Sequence, residues 1–166
     1  MHTTFMEAGQ PYPYKGFWIR FVAAIIDSIV LTIIVIFLAV FSLVIFGAAL
    51  GEGAGIGMFL LVLILASLGT ILYKPIMEAS DYQGTFGKYA LGLKVVDKNG
   101  QKISMTSSFV RTILFIIGSQ AFLLCLGSIM VGFTEYKQGL HDILANTYVV
   151  TDYWEGPVPL EDNFGA

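Results

Sequence analysis

Apolar and polar positions fall into long blocks along this chain. A polar start, residues 1–16, gives way to apolar runs at 17 to about 46, about 57 to 73, and about 109 to 133. The first exceeds the ~20 residues a helix needs to cross a bilayer, and tilt or a protruding end would absorb the excess. It is too long for a signal peptide, carries Asp27, and lacks a convincing cleavage site. Between the first two runs, residues 47–57 hold five glycines and one charge, which predicts a flexible loop. Lys74-Pro75 predicts the end of the second helix, because proline cannot continue one.

Residues 74–111 differ in kind. They carry Lys74, Lys88, Lys94, Lys98, Lys102 and Arg111, six of the nine basic residues. The positive-inside rule makes this segment cytoplasmic, and Lys15 with Arg20 places the N-terminus on the same side after two crossings. Two β-prone runs, 93–97 and 101–104, flank Lys98-Asn99-Gly100 and predict a hairpin with a type I′ turn at Asn99-Gly100. Residues 146–152 resemble the first run and would add a third strand that covers the hairpin's edge. That pairing puts the C-terminus in the cytoplasm. The last apolar run reads either as one crossing or as an in-plane helix over 107–117 followed by a short helix or re-entrant hairpin. The fold class expected is therefore an all-α membrane protein with three to four membrane-embedded helices and a small cytoplasmic β-hairpin. Residues 1–16 are expected to be a flexible N-terminus, 17–152 a membrane domain, and 153–166 a disordered acidic tail.

Composition strengthens this picture. Of 166 residues 56% are apolar and 13% charged, with mean hydropathy +0.77, against about 25% charged in soluble domains. This is an integral membrane protein of the cell membrane with the bilayer as its first partner. The net charge of −3 matters less than its distribution. Topology already explains the basic loop, so nucleic-acid binding has no support. Cys125, alone in an apolar segment, cannot form an internal disulfide and reads as a packing residue. No nucleophile set, cofactor motif or metal-ligand spacing is present, which argues against an enzyme. His141-Asp142 is too sparse for zinc and suits a polar cluster with Glu135, Lys137 or Arg20.

The chemistry worth weighing begins with Arg20 and Asp27. Seven residues apart on a helix, they share a face at about 10 Å along the axis, and Ala23 and Ala24 leave that face thin enough for close approach. No other charge occurs between Asp27 and Leu50. A carboxylate inside an apolar run is costly and functional by default. Two readings stand: an ion or proton site, or a structural pair that fixes helix register. Arg111 is a further candidate partner for Asp27, or a headgroup anchor, and Asp142 completes the candidate polar cluster. Trp18, Lys88 and Lys94 are candidate membrane-surface contacts. Gly84-Thr85-Phe86-Gly87-Lys88 lacks the full phosphate-loop spacing and reads as a turn and helix start.

Three blocks in order resemble the RDD family of small membrane proteins. They are Gly16-Phe17-Trp18-Ile19-Arg20 with Ala23-Ala24 and Ile26-Asp27; Gly84-Thr85-Phe86-Gly87-Lys88 with Leu91-Gly92-Leu93-Lys94-Val95-Val96-Asp97 and Asn99-Gly100; and Gln138-Gly139-Leu140-His141-Asp142 with Ala145-Asn146-Thr147-Tyr148-Val149-Val150. Arg20, Asp27 and Asp142 match the arginine and two aspartates of the family's name. Phe86 and Asn146 stand where the family often has proline and glycine. The resemblance implies fold better than activity. It leaves two expectations: an accessory or regulatory membrane protein that docks a membrane partner, or a sodium/proton antiporter subunit with Asp27 titrating. A chain this small would have to form a homo-oligomer to build a conduit.

Overall fold

The computed structural model describes residues 13–120 and 130–159. Among these residues five α-helices and two strands follow one another: α1 Phe17–Leu50, α2 Glu52–Glu78, α3 Phe86–Ala90, β1 Leu93–Val96, α4 Met105–Gln120, α5 Leu140–Leu144 and β2 Tyr148–Thr151. A 3-10 turn, Met130–Gly132, precedes α5. Cys125 and residues 121–129, on which the path of the last apolar run depends, lie outside the described residues, as do 1–12 and 160–166.

Among the described residues the chain is mostly helical, with two helices long and apolar enough to cross a membrane. Only 11% of the most apolar 18-residue stretch of α1, and 6% of that of α2, is buried within the chain. The core helix of a soluble protein would be covered; these two need lipid to cover them. The glycine-rich loop expected at 47–57 is instead a turn of one residue. Gly51, at φ 96°, donates its N–H to Gly47 O at 3.0 Å and accepts from Gly55 N at 3.1 Å. A Cβ on Gly55 would sit 2.7 Å from Gly47 Cα and 2.8 Å from Leu43 O. Gly47 and Gly55 therefore serve helix crossing, as small residues do in membranes.

α2 also runs past the proline expected to end it. Pro75 loses one helical N–H bond, yet Ala79 N–H closes on Pro75 O at 3.1 Å and the last residue, Glu78, is buried in ion pairs. Those contacts hold the final turn where propensity alone would release it.

The sheet corrects the hairpin expectation. β1 pairs antiparallel with β2, with Val95 opposite Val149 and Val96 opposite Tyr148. Among the described residues the sheet has two strands, and residues 101–104 contribute a single bridge, Val96 to Lys102. The turn is not type I′, because Gly100 (φ 76°) alone in the loop is left-handed. Asp97 shapes it instead: its Oδ1 accepts Asn99 N–H at 2.9 Å and Gln101 N–H at 2.8 Å, an Asx turn.

Alternation on the two strands sorts their side chains cleanly. Leu93, Val95 and Val149 pack with Ala23 of α1 and Ile103, while Val96, Tyr148 and Val150 pack with Tyr14 and Val158. Segments expected to be unstructured complete this second layer. Tyr14 bridges Val150, Thr151 N–H bonds Pro13 O at 3.1 Å, and Val158 N–H bonds Lys98 O at 3.0 Å. The Tyr14 hydroxyl donates to Pro159 O. Both described ends of the chain therefore lie on one small sheet seated against the beginning of α1.

Candidate polar site between the helices

Arg20 does not pair with Asp27. A helical side chain leans towards its own N-terminus, and Arg20 Nε accordingly donates to Lys15 O at 2.9 Å, away from Asp27. Its Nη1 meets Asp142 Oδ2 at 2.6 Å and its Nη2 meets Lys137 O at 2.5 Å. Arg111 is likewise neither a partner of Asp27 nor a headgroup anchor. It is 1% exposed, with Nε and Nη2 on Asp142 Oδ1 at 2.7 and 2.6 Å and Nη1 on Glu78 Oε2 at 2.9 Å. Lys88, expected at the membrane surface, is buried with Nζ on Glu78 Oε1 at 2.5 Å. The result is one continuous chain, Lys88–Glu78–Arg111–Asp142–Arg20, joining α3, α2, α4, α5 and α1 in turn.

This chain is nearly saturated. The two Asp142 oxygens also accept Gly139 N–H at 3.1 Å, which with the arginines makes four donors, and His141 Nε2 lies 3.2 Å away. Glu78 and Asp142 are both fully buried. Burial by itself raises the Asp142 carboxyl, but the guanidiniums of Arg111 and Arg20 outweigh it and hold it well below the usual carboxylate range. His141 behaves in the opposite sense. Burial, with the positive charge of Arg111, Lys74 and Lys88, pulls its imidazole down to about 4 despite its contact with Asp142. The ring is therefore neutral at pH 7, so its approach to Asp142 is no ion pair. Phe115 meets it edge-on at 5.3 Å.

Asp27 has a separate task. Its Oδ1 accepts Gly87 N–H at 2.7 Å and the Tyr73 hydroxyl at 3.3 Å, while Tyr73 Oη accepts Phe86 N–H at 2.7 Å. The first N–H groups of α3 have no partner within their own helix, and side chains from α1 and α2 satisfy two of them. Thr85, at the N-cap, makes no capping bond. A Cβ on Gly87 would fall 2.1 Å from Ala23 O, so only glycine lets α3 reach α1 at the thin face Ala23 provides. This explains the Gly84-Thr85-Phe86-Gly87-Lys88 stretch as a packing motif.

Trp18 is 75% exposed beside Phe17 and Phe21, and Lys94 is half-buried on β1. Sequence reasoning missed Glu78. Its signal was indirect: a basic segment with a buried arginine needs a buried anion, and Glu78 lies one helical turn from Lys74.

The RDD family model matches residues 14–146. The chain is 35% identical to Uncharacterized protein YxaI of Bacillus subtilis (strain 168) over 81% of this chain and 95% of that one. It is 30% identical to Uncharacterized protein YckC, covering 83% of this chain and 85% of that one, and 28% identical to Uncharacterized membrane protein YteJ, covering 84% and 82%, both of the same organism. No solved structure matches.

The neutral His141 gives stability a pH dependence whose sign follows from linkage. Its folded value, about 4, lies below the ordinary 6.5. Between the two, the unfolded chain binds a proton that the folded chain does not, so stability falls as pH falls through that window. The loss is on the order of 3 kcal/mol. Asp142, depressed in the folded state, adds a further loss below its ordinary value near 3.8. His141→Gln keeps a neutral polar side chain beside Asp142 and should flatten the first window only, as read by thermal unfolding in detergent at stepped pH. An unchanged slope between pH 6.5 and 4 in that variant would contradict the assignment.

Proposed function

The chain belongs to the RDD family, and from that premise we propose that it acts as a non-enzymatic accessory or regulatory membrane protein. The observation that carries this reading is the near-saturation of the family's charges. Arg20 and Asp142 are bonded to each other and to fixed neighbours, so their burial is accounted for by folding alone. Burial with close pairing fits a latch that fixes the small sheet to the helix pair. A transport site would instead keep polar groups exchangeable near the midplane.

The second reading, an ion-coupled antiporter subunit, rests on Asp27. Its bonds come from neutral donors, and it lines a pocket. Asn could still accept the Gly87 N–H, so Asp27→Asn should fold and lose little stability. In liposomes, the purified wild type should show sodium- or proton-driven flux no greater than empty vesicles. Flux in the wild type that Asp27→Asn abolishes, with the variant still folded, would overturn the accessory reading in favour of the antiporter.

Multi-pass topology with both ends in the cytoplasm belongs to the same proposal. It is supported by the shared sheet of Tyr14 and Val150 and by the basic loop that supplies β1. A thiol introduced at Gly156 in a Cys125→Ser background should stay unlabelled by an impermeant reagent in intact cells and react after lysis. Labelling before lysis would reverse the orientation.

A further inference from the structure

A pocket of about 360 Å³ lies between α1, α2 and α4, bordered by the ion-pair chain on one side and apolar side chains on the other. Two polar groups on its wall are not used by anything described above. Lys74 has no carboxylate within ion-pair distance among the described residues, and its Nζ sits 3.8 Å from the centroid of the Phe115 ring. A cation–π contact holds an ammonium in place without consuming its donors on the open side. The Thr85 hydroxyl is the second. Thr85 is 4% exposed, its Oγ1 has no partner, and the cap it would ordinarily provide is supplied by Asp27 and Tyr73. The remaining wall includes Phe17, Phe21 and Leu31 of α1.

Charge decides what such a pocket accepts. Arg20, Arg111 and Lys88 face only two carboxylates, Glu78 and Asp142, before Lys74 is counted. Asp27 supplies one negative charge from another part of the wall, where Gly87 N–H holds it. Cations remain in surplus, beside a buried hydroxyl donor and next to aromatic and aliphatic surface on a membrane helix. We propose that this pocket binds an anionic phospholipid, with its phosphate on Lys74 and the Thr85 hydroxyl and its acyl chain along Phe17, Phe21 and Leu31. A phosphate takes donors from both an ammonium and a hydroxyl, and a membrane lipid supplies apolar chain to the same pocket.

The test is lipid titration of the full chain in detergent, read by native mass spectrometry. The probes are phosphatidylglycerol, phosphatidylcholine and inorganic phosphate. Phosphatidylglycerol should bind clearly tighter than phosphatidylcholine, and inorganic phosphate should not saturate at the same concentration. Lys74→Gln should weaken phosphatidylglycerol binding by about five- to tenfold, and Lys74→Arg should retain it. Thr85→Val, which leaves every ion pair in place, should weaken it by about threefold; this variant carries the test if Lys74→Gln does not fold. Lys98→Gln, on the exposed turn and outside the pocket, should leave binding unchanged. Equal affinity for the two lipids, or indifference to both Lys74→Gln and Thr85→Val, would overturn the site. Saturation by inorganic phosphate at matching concentration would overturn the lipid in favour of a soluble anion.

Discussion

Two fully buried carboxylates, Glu78 and Asp142, set the terms for the rest of this molecule. Neither can stay ionised in an apolar setting without close cations and a full set of donors. Arg111 answers both at once, since its planar fork places Nη1 on one acid and Nε with Nη2 on the other. Lys88 and Arg20 close the two ends. Among the described residues each α-helix sends a charged side chain into this arrangement, and Asp142 lies just before β2. Removing a single member strands the others, a loss of about 3–5 kcal/mol in buried pairs.

Packing and electrostatics reinforce each other at one place. Gly87 can approach Ala23 only because neither carries a large side chain. That approach brings Lys88 to Glu78 and the α3 N–H groups to Asp27 and Tyr73. The same thin face of α1 carries the sheet, through Ala23 against Leu93, Val95 and Val149. Apolar helices thus present a small, specific platform at one end, while most of their length faces outward.

Much of this was legible in the sequence, and the reasons for the misses are physical. Hydropathy located α1 and α2, and the blocks around Arg20, Gly87 and Asp142 identified the family and the residues that meet. Spacing suggested that Arg20 and Asp27 would pair because periodicity reports which face a residue shares, and not which way its side chain leans. Glycines at 47–57 suggested a loop, since a composition that permits flexibility also permits close helix crossing. Asn99-Gly100 suggested a type I′ hairpin, but the carboxylate of Asp97 two residues before Asn99 directs the turn, and β1 finds its partner some fifty residues on in β2. Glu78 was hidden behind Pro75, because a local stop signal cannot register ion pairs formed across the fold.

The central claim is that the family's arginine serves Asp142 and not Asp27. Two double-mutant cycles on the full chain in detergent measure it directly, one pairing Arg20→Gln with Asp142→Asn and the other pairing Arg20→Gln with Asp27→Asn. Arg20 and Asp142 should show a coupling energy of about 1–3 kcal/mol, and Arg20 with Asp27 a value within about 0.5 kcal/mol of zero. Strong coupling of Arg20 to Asp27, with none to Asp142, would contradict the account.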